Sequence, residues 1–155
     1  MRLAAALREL HRSESTLADE LLRVADRHSD EVEVRHVAGD LAYWSREHAH
    51  EITGIAPRYG VDPAELEHPE PSEEGQRELP GEGSDADLAL LADLRRVYRM
   101  SAGVALDWDL LGQGAQVVAD AELLAATERC RARAERQMRW ARGMLKTVSP
   151  QTLAT

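Results

Sequence analysis

Apolar side chains recur along this chain at alternating steps of three and four residues, the spacing that places them on one side of an α-helix. In the first segment with this spacing the positions are Leu3, Leu7, Leu10, Glu14, Leu17, Leu21, Val24 and His28. A narrow stripe of this kind is buried when several helices pack side by side. The pattern therefore predicts an all-α fold of long helices around one core.

The stripe continues in three further segments, and residues that start or stop helices separate them. The predicted helices cover residues 2–28, 31–59, 84–118 and 120–148. Candidate starting residues are Asp30 with Glu33 for the second helix, Ser84 with Asp87 for the third, and Asp120 for the fourth. Gly60 is predicted to end the second helix, because glycine adopts the left-handed conformation of a helix C-terminus without steric cost.

The connection between the second and third predicted helices, residues 60–84, is acidic and rich in proline and glycine. Loops between helices of a bundle usually have roughly 2–8 residues, so this one is several times longer. An extended chain covers about 3.3 Å per residue, which lets this segment cross the full length of a bundle. We therefore predict one domain over residues 1–155, an antiparallel four-helix bundle with a long crossover.

Charge and composition restrict the partners of this chain. The formal net charge of −9 repels phosphate backbones and anionic lipids, which argues against nucleic-acid and membrane partners. No apolar stretch approaches the ~20 residues of a membrane span. The single cysteine, Cys130, excludes an internal disulfide, and the sequence therefore predicts a cytoplasmic protein.

Two His-x-x-Glu stretches, His11 to Glu14 and His48 to Glu51, fall on the first and second predicted helices. If these helices are antiparallel neighbours, residues equally far along the chain from Glu31 face each other. This register sets Glu14 against His48 and His11 against Glu51. The apolar pairs that select it are Leu21 with Leu41, Leu10 with Ile52, and Leu7 with Ile55.

Two interpretations of these residues stay open. Glu14 and His48 point towards the centres of their apolar faces, and a lone buried carboxylate costs several kcal/mol. In the first interpretation they form a buried ion pair that fixes helix register, with His11 and Glu51 beside it. In the second, His11, Glu14, His48 and Glu51 bind a divalent metal ion such as zinc, iron or manganese.

Ser101 and Gln137 are polar positions in the apolar stripes of the third and fourth predicted helices. If they lie at the level of Glu14 and His48, one polar layer crosses the bundle. Otherwise small polar side chains of this kind bond to backbone carbonyl groups. Cys130 also lies on an apolar face, and we expect it to pack in the core.

The predicted arrangement resembles the ferritin-like superfamily, whose di-iron members include rubrerythrins. It shares with that superfamily four long helices, a glutamate in mid-helix at Glu14, an imidazole on the next helix, and a long crossover between the second and third helices. Glu14 matches the first glutamate of that family's di-iron pattern, whereas His48-x-x-Glu51 reverses its Glu-x-x-His. The third and fourth helices carry no matching ligands in their stripes. The resemblance implies a helical bundle with a possible divalent metal. The alternative is a non-catalytic structural or interaction module without metal, and no catalytic residue is assigned.

Leu88, Leu91 and Tyr98 widen the apolar face of the third predicted helix beyond what one core requires. Either the crossover segment or a second subunit would cover them. We expect a homodimer.

Overall fold

The computed structural model describes residues 2–67 and 85–154, and within these ranges the regular structure is entirely helical. The elements are α1 (Arg2–Arg27), α2 (Val32–Ile55), a 3-10 turn (Ala56–Tyr59), α3 (Pro63–Leu66), α4 (Ala86–Val117) and α5 (Ala121–Ala154). The all-α prediction is confirmed. The predicted helix bounds hold to within a few residues, except that α5 continues past 148 and includes Pro150.

The ends of the helices follow local chemistry that was predicted in part. Gly60 ends the 3-10 turn with a φ of +78°, the left-handed conformation expected of it. Asp62 caps the one-turn helix α3, because its side chain accepts a hydrogen bond from the backbone N–H of Ala64 at 2.9 Å. Asp120 accepts from the backbone N–H of Leu123 at 3.0 Å, as predicted for the start of α5.

Two predicted helix starts are wrong in detail. The residue before α2 is Glu31 in an extended conformation, and its side chain makes no capping hydrogen bond. Asp30 therefore lies one residue too early to cap this helix. At α4 the capping side chain is Asp85, which accepts from the N–H groups of Asp87 and Leu88. Ser84, the capping residue predicted for this helix, lies outside the described residues.

Contacts between side chains give the relative directions of the helices. A late residue of α1, Arg23, bonds to the early residue Asp93 of α4 at 3.3 Å, whereas Glu14 bonds to the later residue Trp108. Helices α1 and α4 therefore run in opposite directions. Helices α1 and α2 do so as well, because a short turn joins them and Glu14 meets His48.

Helix α5 packs against both α2 and α4. The amide of Gln137, late in α5, donates to the carbonyl of Leu41, and the earlier residue Arg129 pairs with Glu51. This order makes α2 and α5 opposite in direction. Between α4 and α5, a Cβ added to Gly112 would lie 3.1 Å from Oγ1 of Thr127, so this glycine permits close approach of the two helices.

Residues 68–84 connect opposite ends of the molecule. Arg8, near the start of α1, pairs with Glu65 of α3 at 3.3 Å, which places α3 beside that end. The first turns of α4 lie at the other end, where Asp93 contacts His28 just after α1. Most of the predicted crossover over residues 60–84 lies outside the described residues, so it stays a prediction.

Leucine, valine and alanine side chains from α1, α2, α4 and α5 form one hydrophobic core, in which Trp108 is the bulkiest fully buried residue. Alanines at contact positions let the helices approach closely, consistent with the absence of phenylalanine from the sequence. No helix in the described ranges is long and apolar enough to cross a membrane.

Candidate functional site

Glu14 of α1 and His48 of α2 meet inside the core, at the register predicted from the apolar stripes. Their exposed fractions are 0% and 1%. Nδ1 of His48 lies 2.6 Å from Oε2 of Glu14, the distance of a strong, charge-assisted hydrogen bond. This contact confirms the predicted pairing of Glu14 with His48.

Trp108 of α4 completes a triad that the sequence analysis did not foresee. Its indole Nε1–H donates to Oε2 of Glu14 at 3.0 Å. The rings of His48 and Trp108 meet edge-on, with centroids 6.1 Å apart and planes at 80°. The available signal was the position of Trp108 in the apolar stripe of α4, because a buried indole N–H needs an acceptor. We call Glu14, His48 and Trp108 the core triad.

The core triad leaves two buried polar atoms without a partner. The two donors of the triad converge on Oε2 of Glu14, so its Oε1 accepts no hydrogen bond, and Nε2 of His48 makes none. A buried polar atom without a partner costs about 1–3 kcal/mol, more when it is charged. These two atoms are the points at which the triad could bind something further.

His11 and Glu51, the other two predicted metal ligands, do not join the triad. Oε1 of Glu51 pairs with Arg129 of α5, and Oε2 accepts from the thiol of Cys130 at 3.4 Å. The predicted pairing of His11 with Glu51 is therefore wrong, because a full positive charge from α5 is the stronger partner. His11 is buried, and burial lowers the pKa of its imidazole.

Within residues 2–67 and 85–154, no three histidine, cysteine, aspartate or glutamate side chains are grouped so that they could hold a metal ion. Glu14 and His48 are the two predicted ligands in contact. Burial and the charge of Glu51 raise the pKa of the Cys130 thiol, so this residue stays protonated in the core. The core placement predicted for Cys130 is confirmed.

Ser101 and Gln137 do not form one polar layer with the triad. The hydroxyl of Ser101 donates to the carbonyl of Val97 in its own helix at 2.6 Å, the backbone alternative considered above. The amide of Gln137 donates to the carbonyl of Leu41 and to the hydroxyl of Ser45. Along α2, these two residues lie about two turns and about one turn before His48. The indole of Trp108 takes the place predicted for them.

A second buried charged cluster lies where the α1–α2 turn meets α4, and we call it the Asp93 cluster. Asp93 is fully buried, and one of its oxygens lies 2.7 Å from Nε2 of His28. Its other oxygen contacts Arg23 at 3.3 Å and Arg27 at 3.4 Å. Arg23 also pairs with the buried Glu20 at 2.6 Å. Charges of both signs therefore balance within this cluster.

The arginines of α5 pair with acidic residues of neighbouring helices. Arg133 contacts Glu47 of α2 at 2.9 Å and lies over the ring of Trp44, 5.3 Å from its centroid. The Arg133 guanidinium lowers the pKa of Glu47. Arg131 pairs with Asp109 of α4 at 3.2 Å. These pairs tie α5 to α2 and to α4.

Comparison with protein-family models, curated proteins and solved structures found no match for this sequence or its structure. The resemblance to the ferritin-like superfamily therefore stays a prediction, and the site must be interpreted from its own geometry.

Proposed function

We propose that this chain is a non-catalytic structural or interaction module, a ferritin-like antiparallel four-helix bundle in which the core triad specifies how the helices pack. The contact pattern of α1, α2, α4 and α5 supports that architecture, as does the connection between opposite ends through residues 68–84. The cytoplasmic location inferred from the sequence belongs to the same proposal.

The observation that carries this proposal is the convergence of His48 and Trp108 on one oxygen of Glu14. Three helices each contribute one polar group to a point in an apolar core. A shift of any of the three helices by one turn would take at least one donor from the buried carboxylate, at a cost of several kcal/mol. Buried polar groups that specify register and orientation at some cost in stability are well known in helical assemblies.

The test replaces the triad by apolar residues in the combined variant Glu14→Met, His48→Leu and Trp108→Phe. If the triad specifies packing, this variant retains helical circular dichroism and a similar unfolding midpoint but loses the sharp, dispersed amide NMR spectrum of a unique fold. A variant with Leu10→Met, Ile52→Leu and Leu94→Met serves as the control and keeps its dispersion. Full dispersion in both variants would refute the specifying role.

A second function, binding of a divalent metal ion, is favoured by the unpartnered Nε2 of His48. Metal-bound histidines commonly donate their other ring N–H to a carboxylate, as Nδ1 of His48 does to Glu14. Zinc, manganese or iron would then be bound by Nε2 of His48, with Glu14 orienting the ring through Nδ1 and with further ligands from His11 and Glu51. Glu51 would have to leave Arg129 to take part.

Metal content decides between the two functions. The untagged protein, purified without chelator, is analysed for bound metal and titrated with Zn²⁺, Mn²⁺ and Fe²⁺ by calorimetry. The metal hypothesis predicts about one equivalent that is lost in His48→Gln and kept in His50→Gln, because His50 is exposed on the same helix. Equal metal content in both variants, or none in the wild type, would leave only the structural role.

A further inference from the structure

Helix α4 carries apolar residues on the side opposite its buried stripe. We call this surface the α4 outer face, and its members lie within about 60° of one another around the helix. They are Leu88, Ala92, Gly103, Leu106, Leu110 and Val117. Leu106, Leu110 and Val117 are 57%, 60% and 85% exposed. Leu91 and Tyr98, which were expected to be covered by the crossover or by a second subunit, are partly buried residues beside this face.

Gly103, midway along this face, has no packing explanation within residues 2–67 and 85–154. A Cβ at this position would meet no atom within 4 Å, and the backbone there is helical. Glycine lowers the stability of a helix interior relative to alanine, and neither a turn nor a close neighbour within the described chain requires it here. The surface depression that it leaves between Arg99 and Leu106, which we call the dent, fits a side chain from outside this helix.

The crossover is a poor candidate to cover this face. Residues 68–84 contain one aliphatic residue, Leu79, apart from three prolines, and glutamate is their most frequent residue. Such a segment has too little apolar surface to bury Leu106, Leu110 and Val117 together. The occupant must bring its own large apolar side chains.

We propose that the α4 outer face binds the same face of a second copy of this chain, with the two α4 helices antiparallel. A two-fold axis at the level between Val104 and Ala105 sets Leu106 of each copy against the dent at Gly103 of the other. The same axis sets Val117 against Ala92. Leu106 and Val117 then each meet a small residue of the other copy, which is the complementarity that close helix packing requires.

Charge supports this arrangement of the two copies. Arg99 is exposed and lies opposite Leu110 in the proposed register, so its aliphatic stem covers the leucine while its guanidinium lies one residue from Asp109 of the second copy. The Asp109 side chain is 55% exposed although it pairs with Arg131, so it can accept a second cation. The face is thus self-complementary in size and in charge.

This inference depends on the proposed function in one respect: the helices must pack as described, so that the α4 outer face is exposed. The partner it names is a second copy of the chain.

The test is sedimentation equilibrium of the full chain over a concentration series. The wild type is expected to dimerise, and Leu106→Glu combined with Leu110→Glu is expected to raise the dissociation constant at least about tenfold, which corresponds to 1.4 kcal/mol. Tyr43→Glu, a change at an exposed apolar residue of α2, should leave it unchanged.

Gly103→Leu provides a second variant that is expected to fold, because a Cβ there meets open space and leucine has the higher helix propensity. It should weaken the dimer about tenfold by closing the dent to Leu106 of the partner. Gly143→Leu makes the same change at an exposed glycine of α5 with open space around it, and should have no effect.

A wild type that stays monomeric at every concentration, or a dimer that resists both changes on α4, would overturn the inference. Neither result bears on the proposed role of the core triad, which is measured by NMR dispersion of the folded chain. An NMR result against the triad would likewise leave the dimerisation data interpretable. The two proposals can therefore fail separately.

Discussion

The core triad and the Asp93 cluster both bury a carboxylate, but they compensate its charge in different ways. Glu14 receives two donors on one oxygen and leaves the other without a partner. Asp93 is surrounded by His28, Arg23 and Arg27, and both of its oxygens have partners. The two arginines are 36% and 22% exposed, so their charges also reach solvent. We therefore expect the fully buried triad to tolerate substitution poorly and the Asp93 cluster, whose arginines reach solvent, to tolerate it better.

The largest expected effect follows from removing the imidazole of the triad. His48→Leu should lower the free energy of unfolding by roughly 3–5 kcal/mol, because the Glu14 carboxylate would keep one donor in a dry core. Urea unfolding monitored by circular dichroism measures the change. His50→Leu, on the exposed side of the same helix, should alter stability by less than about 0.5 kcal/mol. Equal small losses in both variants would contradict the picture of a buried, interdependent triad.

The second-largest loss of stability is expected from removing the indole donor of the core triad. Trp108→Phe keeps an aromatic ring but loses the hydrogen bond to Glu14, so we expect a loss of about 2–3 kcal/mol from the missing bond and the small cavity. Trp44→Phe is the matched control, since Trp44 is partly exposed and packs under Arg133. A loss at residue 44 as large as that at 108 would show that ring volume, and not the N–H group, matters.

The Asp93 cluster should respond more weakly. Asp93→Asn retains the shape of the side chain and one acceptor oxygen, and the arginines beside it can turn to water. The expected loss is about 1–2 kcal/mol, measured by urea unfolding. Asp26→Asn, at an exposed position of α1, should have almost no effect. A loss that equals the effect of His48→Leu would mean that this cluster is as intolerant as the triad.

The smallest predicted effect is a pH dependence of the unfolding free energy that arises from His11. Burial lowers the pKa of His11 from its ordinary value of 6.5, so the unfolded chain binds a proton at this residue at higher pH than the folded chain does. Stability should therefore fall as the pH drops through about 6.5, and this contribution should level off below the folded pKa. His11→Gln should flatten the profile of unfolding free energy between pH 7 and 5 relative to His50→Gln. An unchanged slope in His11→Gln would argue against a buried, neutral imidazole.

The parts of this molecule that follow local periodicity were predictable from its sequence. The apolar stripes gave the all-α class and the register that pairs Glu14 with His48, because both depend only on helix geometry and on the turn near residue 30. Gly60 and Asp120 indicated helix ends through their own backbone or side-chain preferences. These features need no knowledge of how distant segments meet.

The features that depend on contacts between distant helices were missed. Trp108 lies far along the chain from Glu14, and no register relates α4 to α1 through a short turn. Glu51 was assigned to His11 by the register of two helices alone, whereas Arg129 of α5 is its partner. Asp93 lies within the apolar stripe of α4, three residues after Leu90, but its ion pairs with α1 could not be inferred from helix periodicity. Long-range packing decides all three.

The position of the long connection has a consequence for assembly of the chain. Helices α1 and α2 form one hairpin, α4 and α5 form another, and residues 68–84 are the covalent link between them. The hydrogen bond from Trp108 to Glu14 and the ion pairs of Asp93 also hold the hairpins together, without any backbone bond. Two separately expressed polypeptides, divided within this link, should therefore associate and reconstitute the native core. The only loss would be the entropic advantage of the covalent link.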